Sequence, residues 1–186
     1  TSGNIIFSLD DKYIFYSKLD NNHRPKTIFR HEIGTPIKND ILIFEEKNDR
    51  FTVGIDITSD EKYFIISSGD HTTSEVYYFL SDDKAPKPQL FQKAKEGIIY
   101  SINSWGKYFY IHTNYKAEDF KICKCLHNKT NNWKDVVPAK DEVLVGGFTM
   151  LNNWMIRSET INAIPKIFVK NLLTNKEEEL LFTEEE

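Results

Sequence analysis

The amino-acid sequence predicts an all-β protein laid out as a β-propeller segment of about four four-stranded antiparallel blades. Three observations predict it. Short apolar runs alternate with period two, as in Tyr13-Ile14-Phe15-Tyr16, Tyr63-Phe64-Ile65-Ile66, Tyr108-Phe109-Tyr110-Ile111 and Lys166-Ile167-Phe168-Val169, and aromatic and β-branched residues dominate them. No stretch carries a sustained apolar stripe at helical spacing. The strands also recur. DDKYIFY (Asp10–Tyr16), DEKYFII (Asp60–Ile66), WGKYFYI (Trp105–Ile111) and, more weakly, NNWMIRS (Asn152–Ser158) place their first aromatic at Tyr13, Tyr63, Tyr108 and Trp154, spaced by 50, 45 and 46 residues. A repeat of about 40–50 residues with four strands per unit is the mark of propeller blades.

Each unit divides alike. The first is expected to hold strands near 4–8, 12–19, 26–33 and 40–46, and the second near 52–58, 62–69, 73–80 and 88–94. The third holds strands near 98–104, 107–114, 119–127 and 133–137, and the fourth near 143–150, 153–160, 165–173 and 177–182. The blades then span about 3–47, 51–95, 97–140 and 142–183, one propeller segment over residues 1–186. Polar turns separate the strands at Leu9-Asp10-Asp11, Asp20–His23, Ser59–Glu61 and Asn152-Asn153. Prolines 25, 86, 88 and 165 fall at strand starts or between strands, where a missing N–H costs least. Periodicity leaves open whether four blades close on themselves or form an arc of a larger ring.

Composition narrows the function. The chain has 186 residues, 40% hydrophobic and 13% aromatic, enough for a buried core, and a net charge of −4. A dedicated nucleic-acid binder is basic, so nucleic acid is not expected as a partner; basic residues among aromatics in WGKYFYIHTNYK follow from strand alternation. No apolar run approaches the roughly 18 residues of a membrane span, and no signal peptide opens the chain, so no membrane partner and a cytoplasmic location are expected. The chain opens on Thr1 rather than Met and reads as a segment of a longer protein. Cys123 and Cys125 stand two apart on one side of a strand, as reduced structural thiols. With His127 they make a row too spread out for one tetrahedral ion, so neither metal nor other cofactor is expected. Asn128-Lys129-Thr130 matches a glycosylation sequon by chance.

One stretch, SGDHTTSEVYYF (Ser68–Phe79), crowds a hydroxyl, an imidazole and a carboxylate together, the parts of a nucleophilic triad. Placed in the repeat it becomes a turn between the second and third strands of blade two, where such side chains bond to nearby backbone. No glycine pair brackets a serine as Gly-x-Ser-x-Gly, so no catalytic residue is expected in this chain. The candidate interdomain or structural loop residues are Arg24, Asp70, His71, Thr73, Glu75 and Asn114, with His71 and Glu75 as a possible polar tie between blades. In an up-and-down blade, the turn after strand two lies at the same end as the link to the next blade. That places Asn21–Arg24, Asp70–Ser74, Tyr115–Asp119 and Ile161–Ile164 beside the linkers Lys47–Arg50, Lys95–Gly97 and Lys140–Glu142, a polar face suited to a partner. The acidic pairs and runs Glu45-Glu46, Glu177–Glu179 and Glu184–Glu186 read as solvated strand edges.

LDNNHRPKTIFRHEIGT (Leu19–Thr35), ILIFEEKNDRF (Ile41–Phe51) and SSGDHTTSEVYYF (Ser67–Phe79) resemble, in order and spacing, the propeller of the oligopeptidase B (protease II) branch of the prolyl oligopeptidase family. FYIHTN (Phe109–Asn114) followed by Phe120 is similar to the family's T-N-x-x-x-x-N-F stretch, with Asp119 where asparagine is usual. The resemblance implies a serine peptidase in two parts: an α/β-hydrolase domain carrying the chemistry, and a seven-bladed propeller that admits only short peptides. It implies cleavage after Lys or Arg, with the catalytic domain of the same polypeptide and short basic peptides as partners. A stand-alone propeller scaffold for peptides or proteins is the alternative. A glycosidase with paired carboxylates is a weaker one, since no inward pair stands out.

Overall fold

The computed structural model describes residues 4–181 as sixteen strands in four antiparallel sheets, with one 3-10 turn at Ile37–Asn39. The first sheet runs β1 (Ile5–Phe7), β2 (Tyr13–Leu19), β3 (Pro25–Glu32), β4 (Ile41–Glu45), each beside the next in sequence. The second is β5 (Thr52–Ile57), β6 (Tyr63–Gly69), β7 (Ser74–Leu80), β8 (Gln89–Gln92). The third is β9 (Tyr100–Trp105), β10 (Tyr108–Thr113), β11 (Lys121–Leu126), β12 (Lys134–Val137). The fourth is β13 (Val143–Leu151), β14 (Trp154–Ile161), β15 (Ile164–Asn171), β16 (Glu177–Glu179). The expected continuation of the last strand to 182 and the run Glu184–Glu186 lie outside the described residues.

The repeated D-x-K-Y stretches are first hairpin turns, and two of them share one hydrogen-bond pattern. Ser8 Oγ donates to Asp10 Oδ1 at 2.8 Å and accepts from Tyr13 N at 2.9 Å. Thr58 Oγ1 donates to Asp60 Oδ1 at 2.9 Å and accepts from Tyr63 N at 3.1 Å. The backbone turns left-handed at the same place in all four sheets: φ is 56° at Asp11, 57° at Glu61, 67° at Gly106 and 39° at Asn152. Glycine meets this demand in the third turn without a Cβ penalty; the first two rely on their hydroxyl–aspartate clasp.

The chain forms two compact units that divide inside β9, after Ser101. In the first, alternate residues of facing sheets interdigitate: Phe15 and Ile28 from sheet one meet Val53, Ile55, Phe64, Ile66 and Phe79 from sheet two. The rings of Phe15 and Phe64 lie 4.6 Å apart, and those of Phe64 and Phe79 lie 5.3 Å apart. Aromatics in tilted or offset contact bury large apolar areas, so this layer carries much of the unit's stability. In the second unit Tyr110, Ile122 and Val137 pack with Val145, Met150 and Met155. Strand parity decides these faces. Phe64 and Ile66 look toward sheet one, whereas Met155, Arg157 and Glu159 share the face of β14 that carries Met155 into the core.

Candidate functional site

The six candidate residues sit on or beside the second hairpin of their sheets, at the end where each sheet hands the chain to the next. Hydrogen bonds define that end. In sheet one, the hairpin Asp20–Arg24 is held by Asp20, whose Oδ1 accepts from Asn22 N at 2.8 Å and Arg24 N at 2.9 Å. The Arg24 guanidinium pairs with Asp20 at 3.1 Å and donates through Nη1 to the Asp49 carbonyl in the β4–β5 linker. Lys26, almost buried, donates to the carbonyls of Asn48 at 2.5 Å and Phe51 at 2.6 Å. Glu46 extends from the same linker to accept from Ser68 Oγ on β6.

The second sheet repeats this design through the polar stretch 68–75. Asp70 Oδ1 accepts from the backbone N–H of Thr72 and Thr73, both at 2.9 Å, and from Thr72 Oγ1 at 3.0 Å. Its Oδ2 takes Arg50 from the β4–β5 linker at 2.7 Å, and Arg50 also reaches Glu96 at 3.3 Å. The Thr72 N–H bond first, and Arg50 next, hold the Asp70 carboxyl down to about 2. Thr73 is buried, and its Oγ1 accepts from Gly97 N at 3.2 Å. Glu75 spans its own sheet: Oε1 accepts from Ala94 N at 3.0 Å and Oε2 from Tyr77 OH at 2.8 Å. Burial, and then the Glu75 carboxylate, push the Tyr77 phenol above its usual range. Ser74 clasps the start of β9, donating from Oγ to Tyr100 O at 2.9 Å and accepting from Tyr100 N at 2.7 Å.

His71 stands apart. It is exposed at the hairpin tip, makes no hydrogen bond or ion pair among the described residues, and does not join Glu75, whose oxygens are engaged elsewhere. Asn114 lies in the second unit, where its carbonyl accepts from Ala117 N at 3.0 Å to open the β10–β11 turn. There too the hairpin meets the next strand. Val145 N donates to the Asp119 carbonyl at 2.9 Å, and His112 Nε2 lies 2.7 Å from the Val145 carbonyl. Because Asp119 acts through its backbone, the amide expected of an asparagine there is not needed for this contact.

The arrangement has the chemistry of a latch, not of a nucleophile. Asp70 has no imidazole partner, and the hydroxyls of Thr72, Thr73 and Ser74 bond to Asp70 or to neighbouring chain. Cys123 and Cys125 are free and buried, with burial pushing their thiols up to about 12 and about 11. His127 lies beyond the strand end, its ring tilted against Phe109 at 4.5 Å with Nε2 3.0 Å from Ser104 Oγ. Among the described residues no cluster of His, Cys, Asp and Glu is arranged to hold a metal ion, and no helix is long and apolar enough to cross a membrane. Two important members were not singled out from the sequence: Arg50, which entered only as the end of the linker Lys47–Arg50, and Lys26, whose pairing to carbonyls more than 20 residues away leaves no local signal.

A family profile described as the prolyl oligopeptidase N-terminal beta-propeller domain matches residues 2–185. The chain belongs to this family. Among curated members, Protease 2 of Moraxella lacunata is 32% identical over 147 residues, covering 73% of this chain and 21% of that protein. Dipeptidyl aminopeptidase BI of Pseudoxanthomonas mexicana is 30% identical over 173 residues, covering 89% of this chain and 23% of that one. The chain thus spans between a fifth and a quarter of the length of these relatives. Oligopeptidase B from Trypanosoma brucei, solved in a closed form with covalently bound antipain, superposes with a TM-score of 0.92 at 21% identity, over 98% of this chain and 27% of that one. Oligopeptidase B from Leishmania major gives 0.91 at 18% identity over 98% and 27%. The four sheets are therefore part of a prolyl oligopeptidase-type propeller.

Proposed function

We propose that the chain is the non-catalytic, substrate-gating part of a serine oligopeptidase that cleaves short peptides after Lys or Arg. The observation that carries this reading is the family match across residues 2–185, to a domain that forms only part of much longer peptidases. Gating follows from packing. Sheets clasped at successive linkers by Arg24, Lys26, Arg50 and Ser74 make a stiff wall, and a stiff wall excludes large proteins by steric hindrance. A closed chamber also removes water from the chemistry it covers.

The hairpin–linker end is the proposed contact for the catalytic domain, carrying Arg24, Asp70, His71, Thr73, Glu75 and Asn114. Most of these already serve the propeller itself. His71 is exposed and uncommitted, and so is the clean probe. In the full-length protein His71→Glu should alter kcat/KM or interdomain stability while leaving the melting of the propeller unchanged. Reversing Arg24 should alter those readouts and also lower the melting of the propeller, because its guanidinium holds Asp20 and Asp49.

The reading is tested by assaying the full-length protein on fluorogenic peptides ending in Arg, Lys, Pro or Leu, and on an unfolded protein chain. Turnover restricted to short Arg and Lys peptides is expected. Equal cleavage of the long chain would remove gating, and Pro preference would remove the basic specificity. The 186-residue chain alone should hydrolyse none of them.

A further inference from the structure

At the opposite end of the first unit, between the β1–β2 turn and the β7–β8 loop, lies a cavity of about 240 Å³. Leu9, Tyr13 and Phe15 supply apolar walls, and Asp10, Arg30 and Asp82 also line it. None of these is among the residues assigned to the hairpin–linker end.

Arg30 is the unusual member. It is only 9% exposed, its Cζ lies 4.6 Å from the Tyr13 ring centre, and Nη1 donates to the Lys84 carbonyl at 2.6 Å. That is its one hydrogen bond among the described residues, and no carboxylate there pairs with it. The other buried arginine, Arg157, shows what the interior ordinarily demands: it is 2% exposed and is clamped by Glu159 and by both oxygens of Glu177. A buried guanidinium offers five N–H donors and is costly to leave without an anion. Arg30 spends one donor on a carbonyl and rests its face on a ring, which leaves a forked donor edge beside the cavity.

The rim is acidic on balance, with Asp10, Asp82 and Asp83 outnumbering the one exposed lysine there, Lys84. Asp82 is exposed on the loop and uncommitted, whereas Asp83 Oδ1 already accepts from Ala85 N at 2.9 Å. Asp10 is exposed at the turn, its Oδ1 occupied by Ser8. A simple anion such as phosphate would meet these acids, and a simple cation would meet Arg30. A zwitterion satisfies both. The volume falls below the roughly 300–1,000 Å³ usual for drug-sized ligands, so the occupant is small.

We propose that this cavity binds a free amino acid or dipeptide with an apolar side chain. Its carboxylate lies on Arg30, its side chain against Leu9, Tyr13 and Phe15, and its ammonium toward Asp82. The site is independent of the gating reading, since it requires only unit one.

The test is calorimetric titration of the full-length protein with L-leucyl-L-leucine, the N-acetylated peptide and the C-terminal amide. Saturable binding of the free dipeptide is expected, weakened at least about tenfold by either blocked end because each removes one charge-assisted contact. Arg30→Lys should weaken it similarly, and Asp82→Asn should restore the N-acetyl peptide to parity with the free one. Asp82 is on an exposed loop, so this arm stands even if the Arg30 variant fails to fold. Absence of binding at millimolar peptide, affinity indifferent to both blocked ends, or binding unchanged in Asp82→Asn would overturn the proposal. Binding of inorganic phosphate in place of the dipeptide would do the same. Loss of gating with peptide binding intact would strike only the function proposed above.

Discussion

Arg50 closes on Asp70 across 20 residues of sequence, with Nη2 2.7 Å and Nε 3.1 Å from Oδ2. The linker leaving sheet one is thereby fastened to the second hairpin of sheet two. Asp70→Asn keeps an oxygen for the Thr72 and Thr73 N–H groups but removes the charge that Arg50 meets. The native carboxyl is held at about 2 against an ordinary 3.8, first by the Thr72 N–H and then by Arg50. An acid depressed by folding stabilises the native state above its unfolded value, and that contribution fades as pH falls toward the folded value. Calorimetry should show Asp70→Asn melting lower than the parent at neutral pH, with the gap closing between about pH 4 and pH 2. A gap that stays constant through this window would remove the ionised pair from the account.

That latch marks the boundary of what the sequence reveals. Alternation of apolar residues marks the longer inner strands, because a period of two is set by the backbone and needs no partner, whereas outer strands such as Lys134–Val137 and Glu177–Glu179 carry no such pattern and follow only from the repeat of four strands per unit. The D-x-K-Y repeat marks the first hairpins because Ser8–Asp10 and Thr58–Asp60 are local clasps. The crowd at 68–75 resolves into a turn for the same reason: Asp70 bonds two and three residues ahead. Arg50, Lys26 and Arg30 act at distances of 20 to 54 residues, through carbonyls and carboxylates that every surface loop also offers. Residue type alone cannot separate a buried arginine such as Arg157 from a solvated one, and strand patterning marks its position as core only when the polar identity is ignored.

Phe64 is fully buried and touches the rings of Phe15 and Phe79. Phe64→Ala deletes the ring at the layer joining sheets one and two, and a large-to-small change of this kind costs about 3–5 kcal/mol. Urea denaturation followed by far-ultraviolet circular dichroism should register that loss; the three tryptophans all lie in the second unit. Phe64→Leu should cost clearly less. Equal midpoints for Phe64→Ala and the parent would mean that the layer can collapse around the gap.

Arg157 and Glu159 test the opposite kind of core. Both side chains are wholly buried, and Glu159 Oε2 has no hydrogen-bond partner, with Lys140 Nζ 3.6 Å away. Arg157→Met strands the Glu159 carboxylate and should cost about 3–5 kcal/mol, as when one partner of a buried pair is removed. Adding Glu159→Leu removes the stranded charge and should recover much of the loss, because Glu177 is partly exposed and keeps Lys170 at 3.6 Å. Thermal melts of the two variants decide it. A double variant less stable than Arg157→Met would show that the pair contributes through packing rather than charge.

His112 gives the second unit a dependence on pH near neutrality. Its ring stacks on Phe120 at 4.7 Å and 12°, and Nε2 lies 2.7 Å from the Val145 carbonyl, tying β10 to the first strand of sheet four. Burial holds the imidazole below its ordinary 6.5, against the opposing pull of that carbonyl. A base depressed by folding is neutral in the native state where the unfolded chain already binds a proton. Stability is therefore complete above 6.5 and declines as pH falls from there toward the folded value. Asp and Glu carboxyls of ordinary acidity, about 4, stay ionised down to pH 5, so the window from 7 to 5 isolates histidine. His112→Gln preserves a donor toward Val145 and removes the titration. Its unfolding midpoint in urea should vary less between pH 7 and pH 5 than the parent's. A parent and variant with the same slope would place the proton uptake on another histidine.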